Sequence, residues 1–181
     1  MFSGMPTQPA QETLQREPEP VSNEPQPQSK KEPVARLANE LINLTSQAAH
    51  LMLQSHLVHL NFEGPEFLAV HKFTKKQYEK HQEELDALGE LVRSLDFLLP
   101  MCEKGLLAAN KKLEHIKAYE GPAMLITYYK NLEAYGMDAK RVGEVAKKIK
   151  APDVENYCAE LVGEAFKSAW MIKSMLRGRQ F

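Results

Sequence analysis

Cysteine is scarce in this chain: there are two in 181 residues. That is too few for a disulfide framework, and a reducing cytoplasm is the expected compartment. The opening Met1-Phe2-Ser3-Gly4-Met5-Pro6 has neither a basic n-region nor an apolar h-region. A classical secretory signal is therefore not expected. Nowhere do roughly 18 consecutive apolar residues occur, so no membrane span is expected. An excess of one charge sign is also missing. The net charge is −1 and the pI about 6.6, so no bulk basicity points to nucleic acid or a membrane surface. A hydrophobic fraction of 43% suffices for the core of one domain, or of one domain plus a tail. Composition excludes classes here and names no activity.

Proline is common only at the start. Seven of the 11 lie in residues 1–33, beside five glutamines and five glutamates. Phe2 is the one aromatic residue there, so the stretch cannot bury enough apolar surface to offset the entropy of ordering, and it is expected to be disordered. Its net charge is −2, against +1 for residues 34–181. An acidic tail cannot neutralise phosphates, which argues against direct DNA binding.

Beyond Pro33 the interruptions are few: Gly64-Pro65, Pro100, Gly121-Pro122 and Pro152. Between them run segments of helical period. Val34 to about Leu60 carries Leu37, Leu41, Leu44, Ala48 and Met52 on one stripe. Glu66 to about Leu95 shows a heptad seam of Phe67, His71, Thr74, Tyr78, His81, Leu85, Leu88, Val92 and Leu95. Pro122 suits the first turn of a third helix bearing Met124, Tyr128, Leu132, Tyr135, Val142 and Ile149. Pro152 opens a fourth with Val154, Cys158, Leu161, Ala165, Ala169, Ile172 and Leu176. The pattern predicts an all-α protein: a four-helix bundle over 34–181 with a short helix in the long connection, about residues 100–120, between helices two and three. One long crossover of this kind is the ferritin-like topology.

Six histidines are the first candidates for chemistry. His56 and His59 share a face at the end of helix one, and His71 follows just past the Gly64-Pro65 turn. His81, on the apolar seam, reads as a satisfied core residue, while His50 and His115 show no partner in sequence. Asp86 and Glu90 stack four apart on helix two, beside Lys75, Glu79 and Gln82. This stripe reads either as a solvated face or, with the histidines, as the ligand set of a borderline divalent ion such as Fe(II). Asp86 lies 15 residues beyond His71, about 22 Å along a straight helix. If both groups hold one ion, a second subunit must supply half of the site.

The run His59-Leu60-Asn61-Phe62-Glu63-Gly64-Pro65-Glu66-Phe67-Leu68-Ala69-Val70-His71, followed by Asp86 and Glu90, resembles the Dps family. These are mini-ferritins with the pattern H-W-N-x-x-G-x-x-F-x-x-x-H and then D and E at these intervals. Ala169-Trp170-Met171-Ile172 is similar to the family's late Trp-Met segment, and the resemblance spans residues 34–176. It implies a ferritin-like subunit in a hollow homo-dodecamer. Such a shell oxidises Fe(II), preferentially with hydrogen peroxide rather than oxygen, at sites across two-fold interfaces and stores Fe(III) mineral against oxidative stress. His59 and His71 would be ligands from one subunit, Asp86 and Glu90 from its partner, with His56 near a second metal position. Zinc is a further candidate occupant of that site.

Departures from the pattern bear on the chemistry. Lys75 stands where the family places an acidic ligand, Lys72 and Lys76 where cavity-facing acids are common, and Leu60 where a tryptophan is expected. A charged ammonium has no lone pair to offer a metal and repels a nearby dication. Either the site binds one metal tightly and a second weakly, or His56 takes over part of the missing ligation, or, as the least favoured option, a desolvated Lys75 is deprotonated. Two functions follow: a peroxide-consuming ferroxidase that sequesters iron, or a Dps-like shell with weak or no ferroxidase activity serving metal buffering or nucleoid structure. Asp153, Glu155 and Glu160 are candidate pore residues.

Overall fold

The computed structural model describes residues 28–110 and 112–177. Five helices make it up: α1 (Gln28–Asn61), α2 (Phe67–Ser94), α3 (Glu103–Ala108), α4 (Gly121–Ile149) and α5 (Pro152–Arg177). Strands are absent among the described residues. α1 lies along α2, α4 along α5, and α1 against α4 joins the two hairpins, with the short α3 resting on α1. This is the expected all-α bundle with its small helix in the long connection. No described helix is long and apolar enough to cross a membrane.

α1 begins at Gln28 rather than at Val34, so it continues through Pro33. Pro33 is the sixth residue of that helix, just past the first turn, so its missing N–H forgoes one helical hydrogen bond. The tail expected to be disordered falls, over residues 1–27, outside the described residues.

Turn chemistry sets the other boundaries. Gly64 holds φ +118° between α1 and α2, a left-handed conformation that favours glycine. Its carbonyl accepts from the Phe67 N–H at 3.0 Å. Pro122 sits in the first turn of α4. That helix ends on Lys150 in the left-handed region, and Pro152 restarts the chain as α5. Gly121 is needed for space: a Cβ there would lie 2.7 Å from the Phe62 ring. Phe62 is itself buried, so it ties the end of α1, which carries His59, to the start of α4.

Along α2 the core stripe differs from the expected seam. Val70, Thr74, Gln77, His81, Glu84, Leu88 and Val92 are buried, whereas His71, Tyr78 and Leu85 are half-buried and Phe67 is exposed. The inward face is turned by about one position, and His71 and Tyr78 lie at its edge beside the α1 histidines. His81 is a satisfied core residue, as expected. Its Nδ1–H donates to Glu84 Oε2 at 2.7 Å, and its Nε2 accepts from the Tyr128 hydroxyl at 2.9 Å.

A second polar cluster fastens α4 to α1 and the connection. Asp138 accepts from Gln47 at 2.8 Å and from Lys112 at 2.8 Å. Arg141 makes a two-pronged contact with Glu40 at 2.5 and 2.7 Å. Burial alone would raise the Asp138 carboxyl. The hydrogen bonds from Lys112 and Gln47 and the nearby cations outweigh it and hold that group below its ordinary value.

Candidate metal centre

His59 sits in the last turn of α1 and His71 in the second turn of α2, and the tight glycine turn brings them face to face. Their rings stack with centroids 3.7 Å apart. His59 Nδ1–H donates to the His71 carbonyl at 2.9 Å, and His71 Nδ1–H donates to the His59 carbonyl at 3.1 Å. A carbonyl oxygen only accepts, so each Nδ1 carries a proton and each Nε2 is left without a partner inside the chain. Anchoring one ring nitrogen to a carbonyl is the usual way proteins orient a metal-ligating histidine. Neither ring makes any other hydrogen bond within the chain among the described residues.

His56 lies beside them, its ring centre 6.1 Å from that of His59. Tyr78 packs against His56 at 4.4 Å and presents an edge to His59 at 5.4 Å, while Phe67 packs against His71 at 5.0 Å. Heptad reasoning placed Tyr78 and Phe67 on the core seam and so missed their role as an aromatic frame around the imidazoles. What identifies them is position: each is one helical turn or two from a histidine of the pair.

Asp86 and Glu90 are brought to a different place. Both are exposed and line a groove of about 1300 Å³ with Glu79, Gln82, Arg93 and Leu99. Among the described residues no three His, Cys, Asp or Glu side chains converge within one chain on a spot that could hold an ion. The four candidate ligands thus lie in two separate places, in keeping with their separation along α2. Lys75 is exposed and stands 3.7 Å from Glu79. Lys72 and Lys76 border a shallow hollow with Lys80 and Lys167, relieved by Glu164, which takes Lys80 at 2.6 Å.

The cysteines stand apart from this chemistry. Burial pushes the Cys158 thiol up to about 12, which leaves it protonated and inert. Cys102 is exposed, and its sulfur caps α3 by accepting from Gly105 N–H. His50 and His115, without apparent partners in sequence, lie against one another, with His50 Nε2 and His115 Nδ1 3.4 Å apart.

Comparison with known proteins bears on this arrangement. The family model described as "Ferritin-like domain" matches residues 36–180. The structure is similar to the Dps protein of Vibrio cholerae O1, described as a member of a broad superfamily of ferritin-like diiron-carboxylate proteins. The TM-score is 0.74 at 21% identity, over 80% of this chain and 91% of that one. It is also similar to Dps from Thermosynechococcus elongatus, with TM-score 0.78 at 18% identity over 82% and 94% of the two chains. An archaeal Dps homologue from Halobacterium salinarum matches with TM-score 0.75 at 20% identity, over 80% and 81%. No curated protein sequence matches the chain. The helical order, the short helix in the long connection and the family match agree: the chain belongs to the ferritin-like domain family, with the fold of the Dps proteins.

Proposed function

We propose that the chain is the subunit of a Dps-type iron-storing shell. In this reading it oxidises Fe(II), with hydrogen peroxide as the preferred oxidant over oxygen, and retains the ferric product in its interior. The observation that carries the reading is the reciprocal anchoring of His59 and His71 through their Nδ1–H groups, which leaves both Nε2 atoms available for Fe(II). Asp86 and Glu90 of a second copy supply the carboxylates across a two-fold interface, and His56 stands ready near a second iron. Electrons from Fe(II) reduce the peroxide O–O bond to water, so the substrate pair that generates hydroxyl radical is consumed together. Zinc competes for the same nitrogen and oxygen donors.

Assembly is supported by a stripe on α1. Leu53, Leu57 and Leu60 are 44%, 57% and 64% exposed at spacings of four and three, and His56 lies on the same face. An apolar face of this kind beside an incomplete ligand set fits burial against another copy, and the dodecamer is the expected closed form. Cytoplasmic location and the absence of direct DNA binding belong to the same reading, the latter because the tail is net acidic.

One observation favours a second reading, a shell with weak or no ferroxidase activity that buffers metal or organises the nucleoid: Lys75 is paired with Glu79 where an acidic ligand would complete a second iron position. Stopped-flow mixing of the anaerobic Fe(II)-loaded protein with peroxide separates the two. The first reading expects oxidation faster than in a His59→Ala, Asp86→Ala double variant, and equal rates would sink it.

A further inference from the structure

His50, in the middle of α1, and His115, in the segment leading to α4, are 65 residues apart in sequence and belong to neither group of candidate ligands. Their nearest nitrogens, His50 Nε2 and His115 Nδ1, are 3.4 Å apart, and the ring centres are 4.9 Å apart with planes at 50°. A linear N–H···N bond at that separation would set the ring centres about 5.7 Å apart, since each nitrogen lies about 1.15 Å from its ring centre. The observed value is short of this, so the contact is a bent hydrogen bond rather than one straight at both nitrogens. Two imidazole nitrogens bound at about 2.05 Å to a tetrahedral ion are about 3.3 Å apart, with ring centres about 5.2 Å apart. The ring separation is closer to that of two ligands on one ion than to that of a straight hydrogen bond, so a small shift of the shared proton's place would let both nitrogens face one ion.

We propose that His50 Nε2 and His115 Nδ1 form a second metal site, separate from the His59/His71 pair, for a borderline divalent ion such as Zn(II) with solvent in its remaining positions. Space for those positions exists. The pair stands at a cavity of about 650 Å³ whose walls include Leu53, Leu57 and Met124. Two features limit the affinity. Lys104 and Lys117 border the same cavity and repel a dication, and His50 Nδ1 is buried without a hydrogen-bond partner, so no second group orients that ring. Lacking such support costs a histidine site about 10–100-fold in affinity. An ion held there would pin residues 112–118 of the connection to the centre of α1.

Equilibrium dialysis of the full-length assembled protein against Zn(II) tests this. The expected result is a class of one ion per chain that disappears in His50→Ala and equally in His115→Ala, but persists in a His59→Ala, His71→Ala variant. His115 is exposed, so its replacement spares the core and keeps the test readable if His50→Ala folds poorly. Hydrogen exchange gives a second readout: Zn(II) should slow exchange over residues 112–118 in the unmodified protein and not in His115→Ala. Zinc that binds all variants alike, or whose loss follows only His59 and His71, overturns the assignment.

Discussion

If each metal centre is built from two chains, two inactive variants should restore one another. One variant carries His59→Ala and His71→Ala and keeps the carboxylates; the other carries Asp86→Ala and Glu90→Ala and keeps the histidines. In a single chain Asp86 lies about 22 Å, and Glu90 about 28 Å, beyond His71 along α2 at 1.5 Å per residue. An ion reaches only about 2 Å to each ligand, so no side-chain movement closes that gap within one subunit. In a two-fold pair each site takes histidines from one chain and carboxylates from the other. When the variants are unfolded together and refolded at equal ratio, half of the pairs are mixed, and each mixed pair has one intact site and one that lacks all four ligands. About a quarter of all sites are then intact. Peroxide-driven Fe(II) oxidation by the mixture should recover to about a quarter of the unmodified rate, with each variant alone near background. Recovery indistinguishable from the average of the two parents, in a mixture shown by mass spectrometry to contain hybrids, would refute the shared site.

Three further outcomes are expected. Tyr128→Phe keeps the buried ring but orphans His81 Nε2, which costs about 1–3 kcal/mol; a thermal melt at fixed protein concentration should fall by several degrees, and an unchanged melt would mean the triad contributes little. Asp138 and Glu40 are held below their ordinary values of 3.8 and 4.5, so their stabilisation is complete above those values and is lost as pH falls through the lower folded ones. The difference in melting temperature between the unmodified protein and Asp138→Asn should therefore hold steady down to the ordinary aspartate value of 3.8 and shrink as pH falls below it. Lys75→Glu replaces an ammonium by a carboxylate and should raise both Fe(II) stoichiometry and oxidation rate; a lower rate would mean that Lys75, as it stands, assists the reaction.

The sequence revealed most where spacing alone decides the outcome. Helix boundaries at Pro122 and Pro152 are local chemistry, and both are found where expected. The His59-to-His71 interval fixes two imidazoles on either side of a glycine turn, and they face each other. Other features depend on long-range packing. The heptad seam along α2 carried Phe67, His71 and Tyr78 into the expected core, but apolar period cannot distinguish a residue facing the bundle from one at its edge that faces a partner or a ligand. The real stripe includes Gln77 and Glu84, which hydropathy would place outside, because His81 supplies the partner that Glu84 needs. His50 and His115 meet only through the path of the connection after α3, which no periodic pattern encodes.

If the proposed shell forms, one contact between subunits would supply both the missing ligands and the missing cover. His56 shares the face of Leu53, Leu57 and Leu60, and its ring abuts Tyr78, which in turn edges His59. A partner seated on the leucine stripe would remove water from that aromatic frame as it delivered Asp86 and Glu90. Interactions between the carboxylates and a dication strengthen as the local dielectric falls. Assembly would thus complete the ligand set and sharpen its electrostatics in one step. A lone subunit, with bare Nε2 atoms open to solvent and its carboxylates far away along α2, would have little hold on iron. On this view Lys75 matters less to the first iron, which the histidines and the partner's two acids can hold, than to a second one. The chemistry most exposed to the departures in this sequence is therefore the pairing of two irons rather than the capture of one.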